Sequence, residues 1–215
     1  LAVVPFLFHW DYQGLEYDVM LHLGTLLSIV CFFWKDWIQI IKDGFSRPAT
    51  PEGHYLWYIL LATIPGALAG YLLEEKAETV FRQPELIALN LIFFSGLIFL
   101  ADRLAKNQKG LESLTLAEAM LIGLAQGLAI LPGASRSGMT IMAALFLGFR
   151  RQESARFSFL LSTPVIVGAA LLEVPKISWS QINGPFILGF LCSALVGFLS
   201  IKFLLSFLKT KTLFP

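Results

Sequence analysis

Long apolar runs separated by short polar segments dominate the hydrophobic pattern of this chain. Five runs approach the roughly 20 residues that a helix needs to cross a bilayer. They cover residues 17–37, 54–73, 85–104, 154–172 and 185–208. Trp34 and Trp57 fall near the ends of runs, where amphipathic rings lie at the level of lipid headgroups. The pattern predicts an all-α integral membrane protein, a polytopic helical bundle with about five spanning helices.

A further apolar block, residues 116–149, differs from the others because it is interrupted. Its middle, residues 131–138, reads Leu-Pro-Gly-Ala-Ser-Arg-Ser-Gly. Proline ends a helix and glycine permits a tight backbone turn, so each half is short for a full crossing. Irregular backbone at membrane depth survives only inside protein or beside a water-filled cavity. We therefore expect one re-entrant helical hairpin, with a polar pocket at its break.

Composition agrees with a membrane protein, because 56% of the residues are hydrophobic and only 14% are charged, against about 25% charged in soluble domains. The net charge of +1 gives no electrostatic footprint for nucleic acid. Cys31 and Cys192 lie inside apolar runs and show no disulfide or metal spacing. We expect a single membrane domain over residues 1–215, truncated at both ends, because the chain opens on Leu1 and stops soon after an apolar helix.

Basic residues favour one orientation of this domain. Most of them lie in segments 35–53, 102–114 and 150–156 and in the tail, which the positive-inside rule places in the cytoplasm. The hairpin begins after segment 102–114 and ends at segment 150–156, so it enters the membrane from the cytoplasmic side. Its tip, with Arg136, then faces the periplasm.

Arg136 determines the predicted chemistry of the break. An arginine at membrane depth costs about 2.5–3.5 kcal/mol on insertion scales, so it usually faces a cavity or a partner. A half-helix beginning near Ser137 directs free N–H groups and a positive dipole end at the break, and Ser135 or Ser137 can cap it. Pro132 and Gly133 let the backbone approach closely. The combination predicts an anion site, with phosphate as the first candidate.

Plainer interpretations of the same residues stay open. Arg136 could cap the C-terminus of the first half-helix or extend its charge to water, and the serines could be helix caps only. Gln126, on the first half-helix, is a buried amide of the kind that most often bonds a neighbouring helix. A contact with a ligand is its alternative role. No pair of intramembrane carboxylates has a clear partner, so no metal cage can be built from the chain.

Residues 123–141, which include Gln126 and the Pro-Gly-Ala-Ser-Arg-Ser-Gly string, resemble the second signature motif of the bacterial undecaprenyl-diphosphate phosphatases of the bacitracin-resistance type. Residues 17–26 and 155–164 resemble the segments that follow the family's two motifs. The resemblance implies two inverted repeats in the bacterial plasma membrane. It also implies removal of the terminal phosphate from undecaprenyl diphosphate, a polyprenyl diphosphate lipid, which recycles this carrier for peptidoglycan synthesis.

The resemblance also implies roles for particular residues. Arg136 would hold the diphosphate, with Ser135 and Ser137 as further catalytic contacts. The residues implied to bind substrate are Gln126, Pro132, Gly133 and Gly138. The family's first motif, with paired glutamates, a serine and a histidine, has no match in residues 1–14, so we expect only the second half of the site here and an inactive fragment. A divalent cation (Mg or Ca) is implied by the resemblance alone, and the oligomeric state stays open.

Other function classes compete with hydrolysis. A transporter or flippase of polyprenyl phosphate is the main alternative, because broken helices and inverted repeats are also transporter architecture. A non-catalytic subunit that binds lipid headgroups is the third possibility. The type-2 phosphatidic-acid phosphatase pattern fails, because it needs a histidine and an aspartate soon after Ser-Arg and no histidine follows Arg136.

Overall fold

A computed structural model describes residues 15–79, 84–176 and 184–213 of the chain. Residues 1–14, where the sequence shows no match to the family's first motif, lie outside the described residues. The helices are α1 (Leu15–Phe32), α2 (Trp34–Ser46), α3 (Pro51–Thr79), α4 (Pro84–Leu104), α5 (Leu116–Leu128), α6 (Arg136–Phe146), α7 (Arg151–Glu173) and α8 (Gly184–Phe207). Short 3-10 turns at Leu111–Ser113 and Val174–Lys176 precede α5 and follow α7.

Four of these helices contain stretches long and apolar enough to cross a membrane. They are Pro51–Leu73, Glu85–Leu104, Arg151–Glu173 and Gly184–Phe207, each within a few residues of a predicted run. A bent pair over Tyr17–Phe32 and Trp34–Ser46 raises the total within the described ranges to five if it counts as one span. The predicted fold class, an all-α polytopic membrane protein, is confirmed.

The apolar run over residues 17–37 is not one helix, and that part of the prediction is wrong. The chain forms α1 and α2 instead, which meet at Phe33. The reason is a change in pattern after Phe33, because α2 is amphipathic. Its polar residues Asp36, Gln39 and Asp43 recur on one face. Ile38, Ile41 and Phe45 lie on the opposite face and are exposed. A helix with one polar face cannot continue an all-round apolar span.

The described residues fall into two compact units. One unit lies within Leu1–Trp34 and Ile166–Phe203, and the other within Lys35–Val165 and Leu204–Pro215. A single domain over residues 1–215 stays a prediction. In the first unit α1 and α8 pack closely through small residues. The Ser28 hydroxyl donates to the carbonyl of Ala194 at 2.5 Å, for example.

In the second unit, α5 and α6 form the predicted hairpin and pack against the long helices α3 and α4. Glycines allow this close approach. A Cβ on Gly127 of α5 would lie 3.2 Å from the carbonyl oxygen of Pro65 in α3. A Cβ on Gly138 of α6 would lie 2.7 Å from the Cδ1 atom of Ile98 in α4. The hairpin therefore has one arm on each of the two helices.

Backbone bonds and an ion pair close the base of the hairpin. The N–H of Lys109 donates to the carbonyl of Gly148 at 3.0 Å, and the N–H of Arg150 donates back to Lys109 at 2.9 Å. The guanidinium of Arg151 contacts buried Asp102 at 2.6 Å. Both ends of the hairpin thus lie together, as expected of a re-entrant element, and its break is at the opposite end.

The first turn of α5 is capped at this base. The Thr115 hydroxyl accepts from the N–H of Glu118 at 3.3 Å, and the Glu118 carboxylate accepts from the N–H of Thr115 at 3.0 Å. The ammonium of Lys109 lies 2.5 Å from the same carboxylate. Burial raises the pKa of Glu118, but these hydrogen bonds outweigh burial and hold the pKa below its ordinary value of 4.5.

Candidate anion site at the hairpin break

The break between α5 and α6 is a short turn, which runs from Ala129 to Ser135. The N–H of Ala134 donates to the carbonyl of Leu131 at 2.9 Å. Between these two residues lie Pro132, which cannot donate, and Gly133, whose φ of +91° places it in the region that favours glycine. The predicted local reason for the break is confirmed, because the proline and the glycine are the residues that form the turn.

Ser135 caps α6, as predicted for one of the two serines. Its hydroxyl oxygen accepts from the N–H of Gly138 at 3.2 Å and lies 3.4 Å from the hydroxyl of Ser137. Both hydroxyls are exposed. The N–H groups of Arg136 and Ser137 have no intrahelical acceptor, because they belong to the first turn of the helix. The helix start therefore presents two hydroxyls, free N–H groups and the positive end of its dipole at one place.

Arg136 is half-buried. Among the described residues, its Nη1 atom donates to the carbonyl oxygen of Ser162 in α7 at 3.5 Å. It takes no part in the four ion pairs of the described ranges. The contact with α7 differs from both plainer interpretations, which were a cap on α5 and extension to water. A guanidinium has five N–H donors, so this one keeps most of its capacity and its full charge for an anion.

A buried hydroxyl pair fixes α6 against α7 just below Arg136. The Thr140 and Ser158 hydroxyl oxygens lie 2.6 Å apart, and both residues are buried. Thr140 also donates to the carbonyl of Arg136 at 3.1 Å. The sequence analysis did not predict this pair. The only signal for it was a threonine and a serine inside apolar helices.

Gln126 is only 5% exposed, and neither its amide nitrogen nor its oxygen has a hydrogen-bond partner among the described residues. The plainer interpretation, a hydrogen bond to a neighbouring helix, does not match this structure. It packs against α3 at Gly66, where a Cβ would lie 2.5 Å from the Gln126 Nε2 atom. The structure shows no hydrogen bond between Gln126 and the turn, so its predicted role in substrate binding stays a prediction.

Asn90 of α4 also contacts the turn, and it was absent from the predicted site. Its side-chain amide donates to the carbonyl of Pro132 at 2.9 Å. The available signal was an amide within the otherwise apolar stretch 86–94. No sequence pattern connects two residues so far apart in the chain.

A cavity of about 230 Å³ lies elsewhere in the second unit. Its charged lining residues are Asp36, Asp43, Glu52, Glu112 and Arg156. Arg156 pairs with Asp36, and the remaining carboxylates leave the lining negative. A negative lining repels phosphate, so this cavity is not the anion site.

A divalent cation does not fit the residues that the structure describes. Within residues 15–79, 84–176 and 184–213, no group of three or more His, Cys, Asp or Glu side chains could hold a metal ion. The groups around Arg136 are hydroxyls and a carbonyl, whereas Mg²⁺ and Ca²⁺ sites in proteins are built around carboxylates. The cation implied by the family resemblance therefore has no candidate ligands here and enters no step of the mechanism.

Comparison with known proteins identifies the family of the chain. The family model described as bacitracin resistance protein BacA matches residues 1–215. A curated protein of Pelotomaculum thermopropionicum named undecaprenyl-diphosphatase is 52% identical over 99% of this chain and 80% of its own length. Proteins with the same name from Elusimicrobium minutum and Moorella thermoacetica are 51% and 45% identical, each over 97% of this chain and 80% of its own length.

Proposed function

The chain belongs to the bacitracin resistance protein BacA family, and on this premise we propose that it hydrolyses undecaprenyl diphosphate in the bacterial plasma membrane. The relatives named above carry the name undecaprenyl-diphosphatase. The products are undecaprenyl phosphate and inorganic phosphate, and the lipid product returns to peptidoglycan synthesis. The family name also connects the activity with bacitracin resistance.

The observation that carries this proposal is that Arg136 is half-buried and pairs with no carboxylate among the described residues. A half-buried guanidinium at the start of α6 has a backbone carbonyl as its hydrogen-bond partner and, in the described part of the chain, no carboxylate. A charge in such a place needs a counter-charge. The doubly phosphorylated end of the lipid supplies it, and the apolar surroundings suit the lipid tail.

The site acts on the terminal phosphate by electrostatic stabilisation. Hydrolysis breaks the bond between the terminal phosphorus and the bridging oxygen and adds the oxygen of water to that phosphorus. Negative charge develops on the bridging oxygen as the lipid phosphate leaves. Arg136 and the first N–H groups of α6 donate to these oxygens, and being held in place they need little reorganisation.

Ser135 and Ser137 contribute contacts with the phosphate and do not attack it. Activation of a serine needs a base within hydrogen-bond reach. In the described ranges, the side-chain hydrogen bonds of these two hydroxyls involve each other and the N–H of Gly138. Ser135 also keeps its oxygen engaged as the helix cap, which orients the N–H groups for the anion.

We place the site at the periplasmic side of the membrane. Arg150, Lys109 and Arg151 lie together at the base of the hairpin, and the positive-inside rule assigns such a basic end to the cytoplasm. The break is at the opposite end of the hairpin. The substrate then binds from the periplasmic leaflet.

The decisive experiment measures phosphate release from undecaprenyl diphosphate by the purified full-length protein in detergent. Arg136→Ala should lower kcat/KM by about two orders of magnitude or more, as for the loss of a donor to the transition state. Arg103→Ala is the matched control, because Arg103 is an exposed arginine in the last turn of α4, and it should retain wild-type turnover. Wild-type turnover in Arg136→Ala would contradict the assignment.

The same preparation separates hydrolysis from transport. A flippase would move a labelled polyprenyl phosphate between the leaflets of vesicles without releasing phosphate. Broken helices with exposed helix starts occur in transporters as well, so the structure alone fits both activities. Phosphate release at a rate that depends on Arg136 favours the diphosphatase.

A further inference from the structure

The turn that carries the anion site is attached to α4 by one side-chain hydrogen bond. The Nδ2 atom of Asn90 donates to the carbonyl oxygen of Pro132 at 2.9 Å, across 42 positions of the chain. Asn90 is half-buried within an otherwise apolar stretch of α4. Because Pro132 lies outside any helix, its carbonyl needs a donor from elsewhere. An amide inside a spanning helix is costly unless it has such a partner.

The next residue of the turn lies directly against the backbone of α4. A Cβ on Gly133 would lie 2.6 Å from the carbonyl oxygen of Ile87 and 3.0 Å from the Cβ of Asn90. It would also lie 3.2 Å from the N–H nitrogen of Leu91. Only glycine fits so close to a neighbouring backbone. One turn of α4 therefore holds two successive residues of the break.

These contacts determine where α6 begins. Ser135 and Arg136 follow Pro132 by three and four residues, and the turn between them contains few adjustable bonds. A shift of the Pro132 carbonyl would move the helix cap and the guanidinium together. On its other side α6 is held by the buried Thr140–Ser158 pair.

We propose that Asn90 is a positioning residue for the phosphate site, because its hydrogen bond to Pro132 holds the start of α6 where the donors meet the terminal phosphate. The proposal rests on the proposed function. In this role Asn90 acts on the turn and not on the phosphate itself. Its effect reaches the reaction through the turn, and a misplacement of about 1 Å can cost a factor of about 100 in rate.

The test compares three substitutions in the intact protein in detergent, with undecaprenyl diphosphate as substrate. Asn90→Leu and Asn90→Asp both remove the donor, and Asn90→Asp also keeps the size of the side chain. Both should lower kcat by about 10- to 100-fold and change KM far less. Asn90→Gln keeps an amide donor on a longer stem and should recover much of the loss.

Ser28→Ala is the matched control, because it removes a hydrogen bond between helices of the other unit. It should lower the thermal unfolding midpoint while leaving kcat unchanged. Wild-type kcat in Asn90→Asp would overturn the proposal. So would an equal loss of kcat in Ser28→Ala, because the effect would then be one of general stability.

A second readout does not depend on activity. Ala134 is only 9% exposed, so a cysteine placed there, in a background free of other cysteines, should react slowly with a thiol reagent. Adding Asn90→Asp should raise that rate at least several-fold, because the turn is released from α4. An unchanged rate contradicts the positioning role. If the labelling rate rises but the protein with Asn90 intact releases no phosphate, Asn90 does hold the turn and the proposed diphosphatase activity is wrong.

Discussion

Gly133→Ala tests how tightly the turn is held against α4. Two costs can be worked out from the structure. At a φ of +91°, a residue with a Cβ loses about 1–2 kcal/mol through its left-handed conformation. The added Cβ would also lie 2.6 Å from a backbone oxygen of α4, and such overpacking costs about 1–3 kcal/mol more. We expect the free energy of unfolding to fall by about 2–5 kcal/mol.

Gly148→Ala separates the two costs. Gly148 has the same φ of +91°, but the nearest atom to an added Cβ is the Cδ of Lys109 at 3.9 Å. This variant should lose the conformational share of about 1–2 kcal/mol and no more. Thermal or denaturant unfolding in detergent measures both variants under the same conditions. Their difference is the energy of the contact between the turn and α4.

Activity should separate the two glycines more clearly than stability does. Gly148 lies at the base of the hairpin, far along the chain from Arg136, so Gly148→Ala should keep wild-type kcat once folded. Gly133→Ala displaces the start of α6 and should lower kcat by about 10- to 100-fold. Equal stability and equal kcat in the two variants would refute the claim that α4 constrains the turn.

Three further predictions concern the base and the tip of the hairpin. Asp102→Ala removes the buried carboxylate that pairs with half-buried Arg151 and should lower the free energy of unfolding by about 3–5 kcal/mol. Glu112→Ala breaks an exposed pair and should lower it by only about 0–1 kcal/mol. Because the folded pKa of Glu118 is lowered, its contribution to stability is complete above pH 4.5 and is lost as the pH falls through the folded pKa. Glu118→Gln should remove that acid-dependent loss, and an unchanged pH profile of the unfolding midpoint would contradict it. Ser137→Cys, in an otherwise cysteine-free protein in sealed cells, should react with an impermeant thiol reagent from the periplasmic side; labelling only from the cytoplasm would reverse the proposed orientation.

Much of the fold could be predicted because hydrophobicity is a local property. A run of about 20 apolar residues has few alternatives to a spanning helix, and four such helices lie within a few residues of the predicted bounds. The wrong prediction of one helix over residues 17–37 also comes from reading hydrophobicity locally. The amphipathic character of α2 develops over several turns, and an average over the run 17–37 conceals it.

In the candidate site too, features set by neighbours in the sequence were predicted, and contacts between distant residues were not. The cap by Ser135 and the turn at Gly133 follow from sequence neighbours, so the local pattern was sufficient to predict them. The plainer interpretation of Gln126, a hydrogen bond to a neighbouring helix, could not be checked from the sequence, because the partner of a buried amide depends on the facing helix, and that helix presents Gly66. Whether Gln126 meets the substrate stays a prediction.

The sequence alone determined the membrane class, the broken hairpin and the type of charge at its tip, because apolar runs, proline, glycine and arginine act through their immediate neighbours. Only the tertiary structure decided what holds that tip. The amide of Asn90 on Pro132 and the carbonyl of Ser162 beside Arg136 come from helices distant in the chain. Such contacts depend on how closely helices pack, which the glycines permit but do not specify.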